Sequence, residues 1–87
     1  DEAVLRREFD EKIKNLDLAQ DDKDRALRHA DMMITKAFEE HRLLQGDEKL
    51  TLDKLKIYFD QDYKETQNQF LTIFYLITKN LDWELHH

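Results

Sequence analysis

The chain has 87 residues, of which 39% are charged and 40% are apolar, and its formal net charge is −6 at pH 7. A chain of this length folds as one domain, so we expect residues 1–87 to share a single small core. One glycine and no proline argue against an all-β fold, and the lack of cysteine excludes disulfides, thiolate metal sites and a cysteine nucleophile.

The first predicted helix is short and runs from about Glu2 to Asn15. Its apolar residues recur at helical spacing and define one narrow stripe: Leu5, Phe9, Ile13 and Leu16. Lys12 and Lys14 lie near the negative end of the helix dipole, where basic side chains are favourable. We expect this helix to bury a single line of side chains.

The second predicted helix is long. It begins near Asp21 or Asp22, either of which suits an N-cap, and ends at Gly46, the only glycine. Its predicted buried face is Ala26, Leu27, Ala30, Met33, Ile34, Ala37, Phe38, His41 and Leu44. Because three alanines lie along one edge of this face, a neighbouring helix can approach closely there. We expect large side chains of the third helix to pack against that edge.

The third predicted helix runs from Leu52 to Leu81, with Thr51 as its N-cap, and follows a turn at Asp47–Leu50. One apolar stripe keeps its phase along the whole segment: Leu52, Leu55, Phe59, Tyr63, Phe70, Ile73, Phe74, Ile77 and Leu81. Residues 70–77 are apolar on almost every side. A helix with this pattern is buried on most of its sides, so this segment needs cover from several neighbours.

A polar run, Thr66–Gln69, interrupts the third helix and has low helix propensity. If the third helix kinks or breaks, we expect it to do so at this run. The unbroken phase of the apolar stripe argues against a large change of direction. We expect the helix to end at Asn80 or Asp82, and Trp83–Leu85 to fold back or fray. The predicted fold is therefore an all-α, three-helix up-down-up bundle with one short and two long helices, in which the third helix is either continuous or kinked into two pieces near Thr66–Gln69.

Residues suited to catalysis or metal binding are missing from the sequence. It has no serine and no glycine-rich phosphate loop, and His29 and His41 are too far apart along one helix to share a metal ion. The segment from Asp60 resembles the start of a calcium-binding loop, but that loop needs Gly and Glu where this chain has Glu65 and Leu71. We expect no enzyme activity, no metal or other cofactor and no small-molecule substrate.

Several large apolar residues fall outside the predicted stripes and are candidates for binding a partner: Ile57, Tyr58, Tyr75, Leu76 and Trp83. Aromatic residues are enriched in the centres of protein interfaces. Two interpretations remain open at this point. Either these residues form a binding surface, or the first helix and the C-terminal residues cover them.

The acidic, mostly helical character of the chain favours a non-catalytic interaction protein: a regulator, adaptor or inhibitor that binds another protein or a second copy of itself. The alternative is an acidic inhibitor, or an immunity-type protein, that neutralises a basic nucleic-acid-binding protein or a toxin. Bases spread evenly among the acids argue against nucleic-acid mimicry.

Direct binding to nucleic acid or to an anionic membrane is not expected, because no basic run exists. Residues 70–77 are far too few to span a bilayer. The N-terminal residues also lack the apolar region of a signal peptide. We therefore expect a cytoplasmic protein.

Overall fold

The structure of the protein is a computed structural model that describes residues 2–46 and 49–86, and those residues form four α-helices and no strand. The helices are α1 (Glu2–Lys14), α2 (Gln20–Gln45), α3 (Leu52–Thr66) and α4 (Leu71–His86). The all-α class is confirmed. The three-helix bundle is wrong, because the predicted third helix is divided into α3 and α4.

The helix ends follow local side-chain chemistry. Thr51 is the N-cap of α3, as predicted, since its side chain accepts a hydrogen bond from the Lys54 N–H at 3.2 Å. Gly46 ends α2 at a positive φ of 66°. The helix α2 begins at Gln20, before both predicted N-cap residues. Asp21 and Asp22 therefore lie in its first turn, where their carboxylates interact favourably with the helix dipole. Two residues of the predicted second turn, Asp47 and Glu48, lie outside the described residues.

The chain changes direction between α3 and α4. Gln67 adopts the left-handed conformation, with φ 54° and ψ 44°, and its N–H bonds to the Tyr63 carbonyl oxygen at 2.8 Å. A left-handed residue ends a helix because the next peptide no longer continues the helical path. The Asn68 side-chain oxygen then accepts the Phe70 N–H at 2.8 Å, immediately before α4. These local bonds replace the continuous helix that the apolar stripe predicted.

A buried carboxyl group lies at the centre of this break. Asp62 is buried, and its Oδ2 accepts hydrogen bonds from Asn68 Nδ2 at 3.0 Å and from His29 Nε2 at 2.6 Å. Thr66 Oγ1 donates to the Asp62 carbonyl oxygen at 2.9 Å. The predicted stripe put Tyr63 in the core. The structure buries Asp62 instead and leaves Tyr63 partly exposed.

The four helices form two hairpins packed against each other. α1 packs mainly on α2, α3 packs on α4, and α2 also contacts α3. Arg6 joins the first pair through an ion pair with Asp31 and a hydrogen bond to Thr35. The molecule measures 38 × 34 × 19 Å along its principal axes, and its thickness matches two layers of helices of about 10 Å each.

The core is built around three phenylalanines from three helices. Phe9, Phe59 and Phe74 contribute ring pairs whose centroids are 5.4 to 6.0 Å apart. The His29 ring of α2 stacks on Phe74 at 6.0 Å, so all four helices meet at this cluster. The alanine edge of α2 is buried, as is His41 on the same face, whereas the predicted core residue Leu44 is exposed.

We predict that Asp62→Ala lowers the free energy of unfolding by about 2–4 kcal/mol, because the His29 and Asn68 side chains lose their buried acceptor. The measurement is urea denaturation followed by circular dichroism. The control is Asp60→Ala, on the exposed side of the same helix, which should change the free energy by less than about 0.5 kcal/mol. Equal effects of the two substitutions would contradict the role given to Asp62.

We also predict that Gln67→Gly raises the free energy of unfolding by about 0.5–1 kcal/mol, since glycine adopts the left-handed conformation without steric cost. The matched control is Gln61→Gly, in the right-handed interior of α3, which should lower it by about 0.5–1 kcal/mol. The midpoint of denaturation measures both changes. The same sign for the two variants would refute the helix break at Gln67.

Candidate functional site

The five predicted partner-binding residues differ in their exposure. Ile57, Leu76 and Trp83 are 64%, 57% and 62% exposed. Tyr58 and Tyr75 are half-buried and pack against the core. Trp83 lies within α4, so the prediction that Trp83–Leu85 fold back or fray is wrong for this residue. Helix α4 continues past the predicted end at Asn80 or Asp82 and reaches His86.

The three exposed residues share the solvent side of the α3–α4 hairpin, which we call the outer face. Leu76 and Trp83 are seven residues apart and therefore lie on one side of α4, opposite its buried residues Phe74 and Leu81. On α3, Ile57 lies opposite the buried residues Leu55, Phe59 and Asp62. The structure therefore places these side chains on the outer surface of one layer.

Tyr75 borders the same surface. It lies in a shallow groove of about 420 Å³ between α3 and α4, together with Lys56, Asp60 and Lys79. The groove adds an aromatic ring and charges of both signs to the outer face. Four of the five predicted residues thus lie on or beside one surface.

Tyr58 is separated from that surface. Glu65, seven residues further along α3, points from the same side of the helix and pairs with Lys36 of α2 at 3.0 Å. The hydrogen bond to Glu65 also raises the pKa of Lys36. This side of α3 therefore faces α2. Tyr58 packs there and is not part of the outer face.

The outer face does not share the acidic character of the whole chain. Along α3, the charges beside Ile57 at helical spacing are Asp53, Lys54, Asp60 and Lys64, and the groove adds Lys56 and Lys79. Bases therefore exceed acids there by two, in a chain whose net charge is −6. Long-range repulsion between two acidic molecules is consequently weakest where these surfaces meet.

A second concave feature, which we call the cleft, was not predicted from the sequence. It has a volume of about 650 Å³ and is bordered by all four helices and by residues 49–51. Its apolar lining includes Val4, Leu5, Phe38, Leu50, Leu52 and Leu81. Val4 and Leu50 lie outside the predicted apolar stripes. In the sequence, this apolar surface was indicated only by the position of Val4 next to Leu5 and of Leu50 two residues before Leu52.

The rim of the cleft is acidic. Glu8 of α1, Asp53 of α3, and Asp82 and Glu84 of α4 line it, and among the described residues Lys49 is the one base in the lining. Glu84 also pairs with Lys12 at 2.9 Å, and that hydrogen bond raises the pKa of Lys12. The acids come from three helices and surround an apolar floor.

In residues 2–46 and 49–86, no three His, Asp or Glu side chains are placed to hold a metal ion together. The close pair of His29 and Asp62 is enclosed in the fold and does not line the cleft. None of the helices in these ranges combines the length and the apolar character needed to cross a bilayer.

The chain matches no protein-family model, no curated protein and no solved structure. Its function is therefore inferred from the geometry and the charge of the outer face and the cleft.

We predict that Tyr58→Ala lowers the free energy of unfolding by about 1–2 kcal/mol, because this ring packs against the core. The control is Leu43→Ala on α2, where the side chain is 85% exposed, which should change it by less than about 0.5 kcal/mol. Thermal and urea denaturation of the two variants measure the difference. A loss for Leu43→Ala as large as that for Tyr58→Ala would contradict the packing of Tyr58 against the core.

Proposed function

We propose that this protein is a non-catalytic interaction module and that the outer face is its binding surface. The observation that supports the proposal is the exposure of Ile57, Leu76 and Trp83 on one side of one hairpin. Single exposed apolar residues are common on soluble proteins. Three large ones on one surface, beside the Tyr75 ring, are typical of the centre of a protein interface.

A second copy of the chain is the partner that fits this surface best. The outer face lacks the excess of acids that the chain has as a whole, which favours contact between two molecules that otherwise repel each other. The broad side of the molecule, 38 by 34 Å, is also large enough for a stable interface, which buries roughly 800 Å² on each partner. The module would then act as a dimer formed by the two α3–α4 hairpins.

A second candidate function is an acidic inhibitor of a basic protein. It is supported by the acidic rim of the cleft, where Glu8, Asp53, Asp82 and Glu84 surround apolar side chains. The even distribution of bases elsewhere in the chain does not suit mimicry of a nucleic acid. This candidate therefore uses the cleft and not the whole acidic surface.

We predict that the wild-type protein has twice the monomer mass by light scattering at about 100 µM, and that Ile57→Glu/Leu76→Glu is a monomer. Two buried carboxylates would not be tolerated in an apolar interface. The control is Met32→Glu/Leu43→Glu, which adds the same two charges at exposed apolar residues of α2 and should remain a dimer.

Salt dependence provides a further check on the same samples. An apolar interface should keep the dimer mass at high salt, where charge contacts are screened. A monomeric wild-type protein at low and high salt would overturn self-association. Loss of the dimer in Met32→Glu/Leu43→Glu as well would show that net charge, and not the outer face, controls the mass.

A further inference from the structure

The cleft has the features of a binding site that is separate from the outer face. It is a concave surface of about 650 Å³ to which all four helices contribute side chains. Leu5, Leu50 and Leu52 are partly buried and packed against the core, so its floor is held in place by the fold. A ligand would therefore meet a largely preformed apolar surface.

The charge around the cleft selects the class of ligand. Glu8, Asp53, Asp82 and Glu84 line it from three helices, and Lys49 is the one base in the described lining. Even with Glu84 paired to Lys12, acids exceed bases at the rim. An anionic ligand would be repelled, whereas a ligand with an apolar centre and basic groups at its periphery is complementary.

We propose that the cleft binds a basic amphipathic helix of another protein, with apolar side chains on the floor and Lys or Arg side chains at the acidic rim. An amphipathic helix presents apolar side chains at intervals of three or four residues, with its charged side chains to either side. The cleft matches this arrangement, because its floor is apolar and the acidic side chains around the floor come from three helices. The proposal deepens the second candidate function and does not depend on self-association.

The probe is a fluorescein-labelled synthetic peptide of about 14 residues, with Leu and Lys at amphipathic helical spacing. Two further peptides serve as controls. One replaces each Lys with Glu, and the other has the same composition in an order that forms no apolar face. Fluorescence anisotropy with the full chain is measured at about 50 mM and about 300 mM salt.

The Leu–Lys peptide should bind with an affinity that falls as salt rises, because the rim contacts are screened. The Glu peptide should not bind. The reordered peptide should bind at least about tenfold more weakly, since charge alone would hold it. Equal binding of the amphipathic and reordered peptides, or no binding of the amphipathic peptide at about 100 µM protein, would overturn the proposal.

Two variants with equal net charge locate the site. Glu8→Lys/Asp82→Lys reverses two rim charges and should weaken binding of the Leu–Lys peptide at least about tenfold. Asp21→Lys/Asp24→Lys makes the same change in net charge at the start of α2, about 20 Å along the helix from the cleft residue Phe38. This variant should bind within about threefold of the wild type.

Circular dichroism checks that each variant is folded. Equal weakening by the rim and control variants would mean that the peptide responds to overall charge, which would overturn the assignment of the cleft. The variant Ile57→Glu/Leu76→Glu separates this proposal from self-association. It should lose the dimer and still bind the Leu–Lys peptide, because both residues lie outside the cleft lining.

Discussion

The buried carboxyl group of Asp62 is the constraint on which the arrangement of the helices depends. A polar group inside a small core is costly unless it is hydrogen-bonded, so its donors must be brought to it. One donor is His29 of α2, and another is Asn68, in the segment between α3 and α4. In a continuous helix, Asn68 would lie further along the axis, away from the Asp62 carboxyl group. The left-handed Gln67 allows the chain to turn back to Asp62, and the direction of α4 follows from that turn.

The outer face and the cleft both depend on the same turn between α3 and α4. Because α4 returns along α3, the apolar segment 70–77 is divided between two environments: Phe74 and Ile77 enter the core, and Leu76 remains on the outside of the hairpin. The C-terminal turns of α4 reach α1, where Lys12 pairs with Glu84, and Leu81 lines the cleft beside Val4. One helix therefore contributes to the core, the outer face and the rim of the cleft.

The apolar periodicity predicted most of the helical residues, but not the division of the predicted third helix into α3 and α4. The apolar spacing of α1 and the buried face of α2 around Ala30 and Ile34 agree with the structure, because local packing decides such positions. The break between α3 and α4 was underestimated because it depends on a contact between Asp62 and His29, 33 residues apart. The outer face was partly anticipated, but Tyr58 was misplaced because its surroundings depend on α2. The cleft depends on four helices meeting, and spacing within one helix does not reveal it.

The aromatic cluster has a consequence for folding during synthesis. Phe9 lies near one end of the chain, and its partners Phe59 and Phe74 are translated long after α1 and α2. The first hairpin emerges from the ribosome before its aromatic partners exist, and Phe9 gains them only after α3 and the first turn of α4 have been made. Because closing so long a loop costs chain entropy before those contacts form, the fold should assemble late and as one cooperative unit, and not hairpin by hairpin.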